Sequence, residues 1–573
     1  MKYNNLNLKT REKKVKNKCF LLNFIIFLLL LKTSFLIPLI QKKNLRKLNS
    51  LNSEIHLVIQ GKGEQSLLYN GFSNADPYEV LVNGKIKINC SKSCFLYEDR
   101  NNVTLKFDVQ IKSCKNMFSG LNNITEIDLS NFDFSQVKDV SLMFNNCSNL
   151  EKINLKYINT SSAISMKNLF RSCSKLKSID LSNFDTSKVT DISFMFYGCK
   201  KLENVIFGNF NTSSIEVMKS LFSGCSALGT VNLKNFDTSK VTDISFMFNG
   251  CKNLERINLG NFNTPSLLNM ECLFQNCKRL KSIDITNFNL SKVIDISWMF
   301  NGCSNLEKLI VGNINTSSVK NMTRLFQSCS NLTSIDISKF DFAEVTDMSF
   351  MFNDCVNLKS LILGNIDTSS VENMRSLFSG CSKLTSIINL SNLNTSSATK
   401  INYMFFGCKS LKYLDLSNFN TSKVTTIEEM FDSCESLKYL DLSNFNTSKV
   451  TTMNYIFYNC KSLLYLNLYS FKLKNSVSKS SFFYGVSPNI KYCINDEETD
   501  LILFNNRTKS DCSDICFKKN IIFDDINNKC ISESCSKNEN KYKYNDICYN
   551  VCPENTFIIA NNTDINNLNK KEC

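Results

Sequence analysis

The sequence predicts an α/β solenoid, a stack of short coils in which each coil contributes a strand, a loop and a short helix. Three observations predict it. Thirteen cysteines recur along the middle of the chain at a spacing of 26 residues with a single slip: Cys147, Cys173, Cys199, Cys225, Cys251, Cys277, Cys303, Cys329, Cys355, Cys381, then Cys408, Cys434 and Cys460. Apolar residues stand at the same offsets before each cysteine, and after it the apolar period changes to two. A fixed period of this size marks supersecondary units that cannot bury an apolar face alone and must stack.

Counting one period back from Cys147 reaches Leu121, so about fourteen units fill residues 114–487. In the unit beginning at Val345, the residues Val345, Met348, Met351, Phe352, Cys355 and Leu358 form a helical stripe. Thr346, like Thr190, Thr242 and Thr451, sits where an N-cap is expected. Leu361 and Leu363 then alternate with Ser360 and Ile362, a strand pattern. A loop of the type Ser182-Asn183-Phe184-Asp185-Thr186-Ser187 returns the chain, and its phenylalanine recurs as Phe210, Phe236, Phe262 and Phe288. The strands should form a parallel ladder, and at about 4.8 Å per rung the array should reach roughly 65–70 Å. A second period of 52 residues overlies the first: Leu-Phe units (Leu169-Phe170, Leu221-Phe222) alternate with Met-Phe units (Met195-Phe196, Met247-Phe248). Amplification of a two-unit block accounts for it. The slip near Ile387-Ile388 is one inserted residue.

The run Asp180-Leu181-Ser182-Asn183-Phe184-Asp185-Thr186-Ser187-Lys188-Val189, followed by Met195-Phe196-Tyr197-Gly198-Cys199, resembles the BspA-like leucine-rich repeat family of microbial surface proteins. The likeness is to the branch with a 26-residue DTSxVxxMxxMFxxC unit, and it covers residues 115 to about 470. It implies a leucine-rich-repeat solenoid, display on a cell surface, and adhesion or contact with a host or matrix. It carries no catalytic residues. The lipobox of bacterial lipoproteins has no counterpart, since Cys19 precedes the apolar leader.

The two ends are of another kind. Residues 1–40 hold a basic stretch followed by an apolar run from Phe20 to Leu31, which describes a signal peptide or an uncleaved signal anchor. Either one puts the repeats outside the cytosol, secreted or on the cell surface, and residues 19–40 would be the tether in the second case. Residues 41–113 read as short strands between Gly and Asn turns, an N-terminal β cap over the first coil. Residues 488–573 carry Cys493, Cys512, Cys516, Cys530, Cys535, Cys548, Cys552 and Cys573 at irregular spacing, which in a secreted chain reads as a disulfide module. The spacing of Cys512/Cys516 and of Cys548/Cys552-Pro553 resembles furin-like cysteine-rich repeats.

Composition narrows the function. Of the formal net charge of +15, residues 1–47 supply +11, so the folded part lacks the basic stripe a nucleic-acid binder needs. One histidine, His56, leaves almost no material for Ser-His or Cys-His catalysis. The thirteen ladder cysteines read as packed core thiols: equivalent Cβ atoms on neighbouring rungs lie beyond the usual disulfide reach, and single cysteines at long intervals are not a metal-site spacing. No enzyme activity, cofactor or metal is expected. Asp185, Asp237 and Asp367 alternate at one loop position with Asn211, Asn315 and Asn420, which suits a turn bond that either residue can make. The outward strand positions are the ligand candidates, above all Tyr413, Tyr439 and Tyr465 beside Asp415 and Asp441. Sequons at Asn102, Asn123, Asn159, Asn211, Asn315, Asn394, Asn420, Asn446 and Asn506 allow glycosylation. The expected function is that of a surface-displayed repeat protein binding proteins or glycans on another cell or matrix; the alternative is a structural or antigenically variable coat protein without a defined ligand.

Overall fold

A computed structural model describes residues 53–473 apart from residue 261, then 477–495, 504, 507–511 and four short strands between residues 521 and 549. The leader lies outside the described residues. So do Cys512, Cys516, Cys535, Cys552 and Cys573, while Cys530 and Cys548 fall on short strands.

The N-terminal part is an antiparallel sheet. Alternation in β1 (Ser53–Gln60) buries Ile55, Leu57 and Ile59, and alternation in β3 (Arg100–Phe107) buries Val103, Leu105 and Phe107. The two pair in register Leu57↔Val103, and β2 (Glu79–Val82) extends the sheet beyond β3. The free edge of β1 meets β4 (Ile124–Asp128), which begins the coil series, with His56 opposite Asp128. From β4 the ladder turns parallel, Ile127 pairing with Ile153 of β5 (Lys152–Asn154). An antiparallel sheet thus runs directly into the parallel stack and occupies the edge of its first strand, where bare N–H and C=O groups would invite aggregation.

The following coils add a three-residue parallel strand at the same place, for example Ser178–Asp180 on Asn204–Ile206 and Ser334–Asp336 on Ser360–Ile362, except the coil of Tyr413, which forms none. A second line of parallel bridges runs unbroken from Ser113 to Ser478 on another side of the stack. The inserted residue is absorbed immediately after the strand Ser386–Ile388, where Asn389 takes a left-handed φ of 62° and a single 3-10 turn spans Leu390–Asn392. The strand itself keeps register with Ser360–Ile362.

The expected short helices are absent: among the described residues the chain is a β-solenoid with no α-helix, and the α/β reading is corrected. The segment Val345–Leu358 is a succession of turns. Its amides alternate between two acceptors. Met351, Asn353, Cys355 and Leu358 each donate to the carbonyl three residues back, whereas Phe350, Phe352 and Asp354 donate to Arg375, Leu377 and Ser379 of the next coil at 2.7–3.0 Å. A helix would spend every amide inside its own coil. Left-handed φ values of 58° at both Phe350 and Asp354 also interrupt any helical run. Steps of three and four residues bury the same side chains in either backbone, so the periodicity identifies the inward face without distinguishing helix from serial turns.

The predicted threonine caps are also corrected. Thr242 and Thr346 donate their hydroxyls to carbonyls of the preceding coil, Glu216 and Lys320. The residues after them, Asp243 and Asp347, accept the backbone N–H of Ser245 and Ser349 at 2.8 Å.

Burial follows columns. Phenylalanines one coil apart stack from Phe118 to Phe457 with ring centroids 5.2–6.0 Å apart. The cysteine column lies beside them, and the loop phenylalanines Phe184, Phe210, Phe236, Phe262 and Phe288 are buried at the third corner. The result is one continuous apolar spine, since each coil supplies the wall its neighbour needs.

Candidate functional site

All thirteen ladder cysteines are buried and free. Each thiol donates to the carbonyl of the phenylalanine column on the preceding coil, from Cys147 Sγ to Phe118 O at 3.0 Å to Cys460 Sγ to Phe431 O at 3.1 Å. Burial pushes the thiols up from their ordinary value, to about 12 at Cys199, Cys303 and Cys355. Such thiols are poor nucleophiles and poor metal ligands. Cys493 is disulfide-bonded. A disulfide also joins Cys90 to Cys94 in the N-terminal part. The sequence reading missed it, although its C-x3-C spacing is the one it noted in the tail.

Of the three tyrosines, Tyr439 and Tyr465 lie on strands, and Tyr413 holds the equivalent position in a coil without one. Tyr439 stands opposite Tyr465, and Asp441 opposite Asn467, in a parallel register. All three tyrosines are half-buried, and burial together with the nearby Asp441 carboxylate raises the Tyr439 phenol well above its ordinary value. Lys491 lies over the Tyr465 ring at 5.8 Å. The acidic partners are engaged locally: Asp415 accepts from the backbone N–H and hydroxyl of Ser417, and Asp441 from the N–H of Ser443. Asp180, Asp284 and Asp336 make the same bond two residues on, which holds the Asp180 and Asp284 carboxyls below their usual range. Where it holds Asp or Asn, this column closes the turn after the strand, and the tyrosines stand two residues before it. In the return loop, Asp185 and Asn211 accept from Ser187 and Ser213 at 3.0 Å, so charge is indeed dispensable at that position. His56 bonds Thr104 and lies near Glu54, a structural setting.

A second surface escaped the sequence reading. On the turn face, each coil has two left-handed positions four residues apart, and on alternate coils the first of them holds a large aromatic residue: Phe194, Phe246, Trp298, Phe350, Tyr403 and Tyr455, with φ between 56° and 61°. The coil before each of them carries Asn168, Ser220, Cys272, Arg324, Ser376 and Glu429 in turn. These rings are only partly buried. A bulky residue in this region of φ costs on the order of 1–3 kcal/mol, and the intervening coils show that small residues serve the fold. Beside the rings runs a ladder of side-chain amides, Gln275 to Asn301 at 3.3 Å, Asn301 to Gln327 at 3.0 Å and Gln327 to Asn353 at 2.7 Å. Toward the N-terminal end of this face, a shallow trough of about 650 Å³ crosses six coils from Gly120 to Asn249. The signal was present in the sequence as the 52-residue period, whose outward members the reading did not follow.

Stacked coils, a parallel ladder and a leucine-, phenylalanine- and cysteine-lined spine define a repeat protein of the leucine-rich type. A family model described as "Mycoplasma protein of unknown function, DUF285" matches residues 112–228, 200–309, 269–389 and 384–492, and the chain belongs to that family. No curated protein matches it. Solved structures similar to it include a leucine rich cell surface protein from Faecalibacterium prausnitzii A2-165, with 18% identity over 63% of this chain and 84% of that one and a TM-score of 0.31. A leucine-rich repeat protein from Eubacterium ventriosum ATCC 27560 shows 15% identity over 59% and 84%, with a TM-score of 0.26. The TLR13–ssRNA13 complex shows 18% identity over 64% and 58%, with a TM-score of 0.22.

Proposed function

We propose that this chain is a surface-displayed repeat protein that binds proteins or glycans of another cell or of a matrix. The unbroken stack carries the reading: the parallel bridges continue through every coil from Ser113 to Ser478, so each outward residue type is repeated along one long face. Such a surface suits extended partners rather than a single small substrate. The basic and apolar leader supports export, and the reading is of a non-enzymatic protein. The exposed, turn-bonded sequon asparagines Asn211, Asn315 and Asn420 would take glycans in a host that glycosylates secreted chains. A sheet capping the first coil and a disulfide-linked tail would protect the two ends of the spine.

The test is adhesion of the full chain to cells and to matrix components. Replacing Tyr413, Tyr439 and Tyr465 together by Ser should leave thermal unfolding cooperative and reduce capture. Undiminished capture removes the tyrosine strip from the binding surface, and no capture by the wild-type chain leaves the coat-protein reading.

A further inference from the structure

At the centre of the turn face the rings and two guanidiniums alternate along five coils. Arg324 Cζ lies 4.3 Å from the Trp298 ring and 4.4 Å from the Phe350 ring. Arg375 Cζ follows at 5.7 Å from Phe350 and 5.2 Å from Tyr403. Neither arginine forms a salt bridge among the described residues. This sets them apart from Lys167 and Lys219 on the same face, which pair with Asp191 and Asp243. The Arg324 Nη1 group donates to Gln327 Oε1 at 3.1 Å, leaving most of its five N–H groups without a partner. A guanidinium held between two rings keeps its positive charge, loses little further rotamer entropy on binding, and presents its N–H edge outward. That edge is complementary to a carboxylate or a sulfate.

We propose that the face from Trp298 to Tyr403 binds an extended anionic glycan, with a uronate or sulfate group on Arg324 and the next one on Arg375. The proposal rests on the surface-binding reading above. Spacing selects the ligand. The two arginines stand two coils apart, about 10 Å, which is the advance of one disaccharide in an extended β-linked chain, so a polymer charged once per disaccharide meets both without bending. Asn301 and Gln327 each accept from the coil before and donate to the coil after, Asn353 accepts from Gln327 and donates to Ser379 O, and Gln327 Oε1 also accepts from Arg324. Gln327 and Asn353 each keep a second amide N–H for ring hydroxyls between the charges. The strained aromatic positions then have a purpose that the apolar spine does not give them, namely to fix the cations in a row.

The experiment measures binding of the full chain to a sulfated uronate octasaccharide, a uronate-only octasaccharide, a neutral cello-oligosaccharide and oligoglutamate at fixed salt. At least one anionic octasaccharide should bind, and which one identifies the anion. Arg324→Gln with Arg375→Gln should weaken that binding roughly tenfold or more, while Lys152→Gln with Lys308→Gln on the strand face stays within about twofold. Phe350→Ser, which installs the residue that the following coil carries as Ser376, should weaken binding with an unchanged melting profile, and it serves if the arginine variant does not fold. Equal losses in the arginine and lysine variants overturn the proposal, as does oligoglutamate or the neutral glycan binding as tightly as the anionic ones. Adhesion to cells or matrix without binding of either anionic octasaccharide sinks this inference and leaves the surface-binding reading standing; absence of both sinks the two together.

Discussion

At the scale of the residue, the cysteine shows what a repeated side chain can be for. Thirteen thiols at regular spacing invite thoughts of metal or disulfides, yet each sits inside the spine and donates to a phenylalanine carbonyl of the coil before it. The thiol is a small hydrophobe with a weak donor, and it fits where a hydroxyl would be costly to bury. Two consequences follow for measurement. With thiols such as Cys199 and Cys355 pushed to about 12, only about one in ten thousand is thiolate at pH 8, so labelling of the native chain should be slow. Denaturant without reductant should release at least fifteen reactive groups, those of the ladder together with Cys114 and Cys272; recovering almost none would mean the ladder is oxidised. The pH dependence has a definite sign. A thiol raised from 9.0 when folded holds its proton after the unfolded chain has lost its own. The native state then binds more protons than the unfolded one between about pH 9 and pH 12, and stability falls across that window. Each such thiol contributes about 1.4 kcal/mol per pH unit. Denaturation midpoints measured from pH 8 to 11 should therefore drop steeply, and a flat profile would count against buried, reduced cysteines.

At the scale of the element, the coil is held by backbone bonds that the sequence pattern does not reveal. Val345, Met348, Met351 and Cys355 point inward as a helical stripe would have them. Amides such as Phe352 N–H nevertheless reach the next coil, a choice only the neighbour makes available. The loop after each strand shows why alternate coils differ. Gly260 adopts a φ of 55°, and a Cβ there would lie 2.6 Å from Lys234 O and 2.7 Å from Lys234 Cα. The coil before it accommodates a lysine at this position, so the pair works only as a two-coil block. Gly260→Ala should cost more than about 1 kcal/mol, because a left-handed backbone and a backbone contact act together. Urea denaturation of that variant, with Gly229→Ala as the reference at a glycine with open space around it, measures the difference. An equal midpoint for both would refute the close approach.

At the scale of the whole molecule, the stack should behave as a one-dimensional array. Deleting Lys200 to Cys251 removes 52 residues and joins Cys199 to Lys252, which restores the pattern across the junction. The shortened chain should fold, melt cooperatively a few degrees lower, and be about 10 Å shorter by scattering. Removing 13 residues more breaks the register of every column, and aggregation or loss of cooperative melting is expected. A compact particle for either chain would contradict the stacked arrangement.

The amino-acid sequence by itself determined the period, the inward set of leucines, phenylalanines, methionines and cysteines, the parallel strand ladder and the turn role of the Asp/Asn positions. These depend on spacing and residue type, which are local. Tertiary structure alone decided the rest. Only stacking gives an amide a second acceptor, so the choice between a helix and serial turns was settled by the neighbouring coil. Only stacking sets Arg324 between Trp298 and Phe350, residues 26 positions away on either side, and makes a row of cations from side chains that are far apart along the chain.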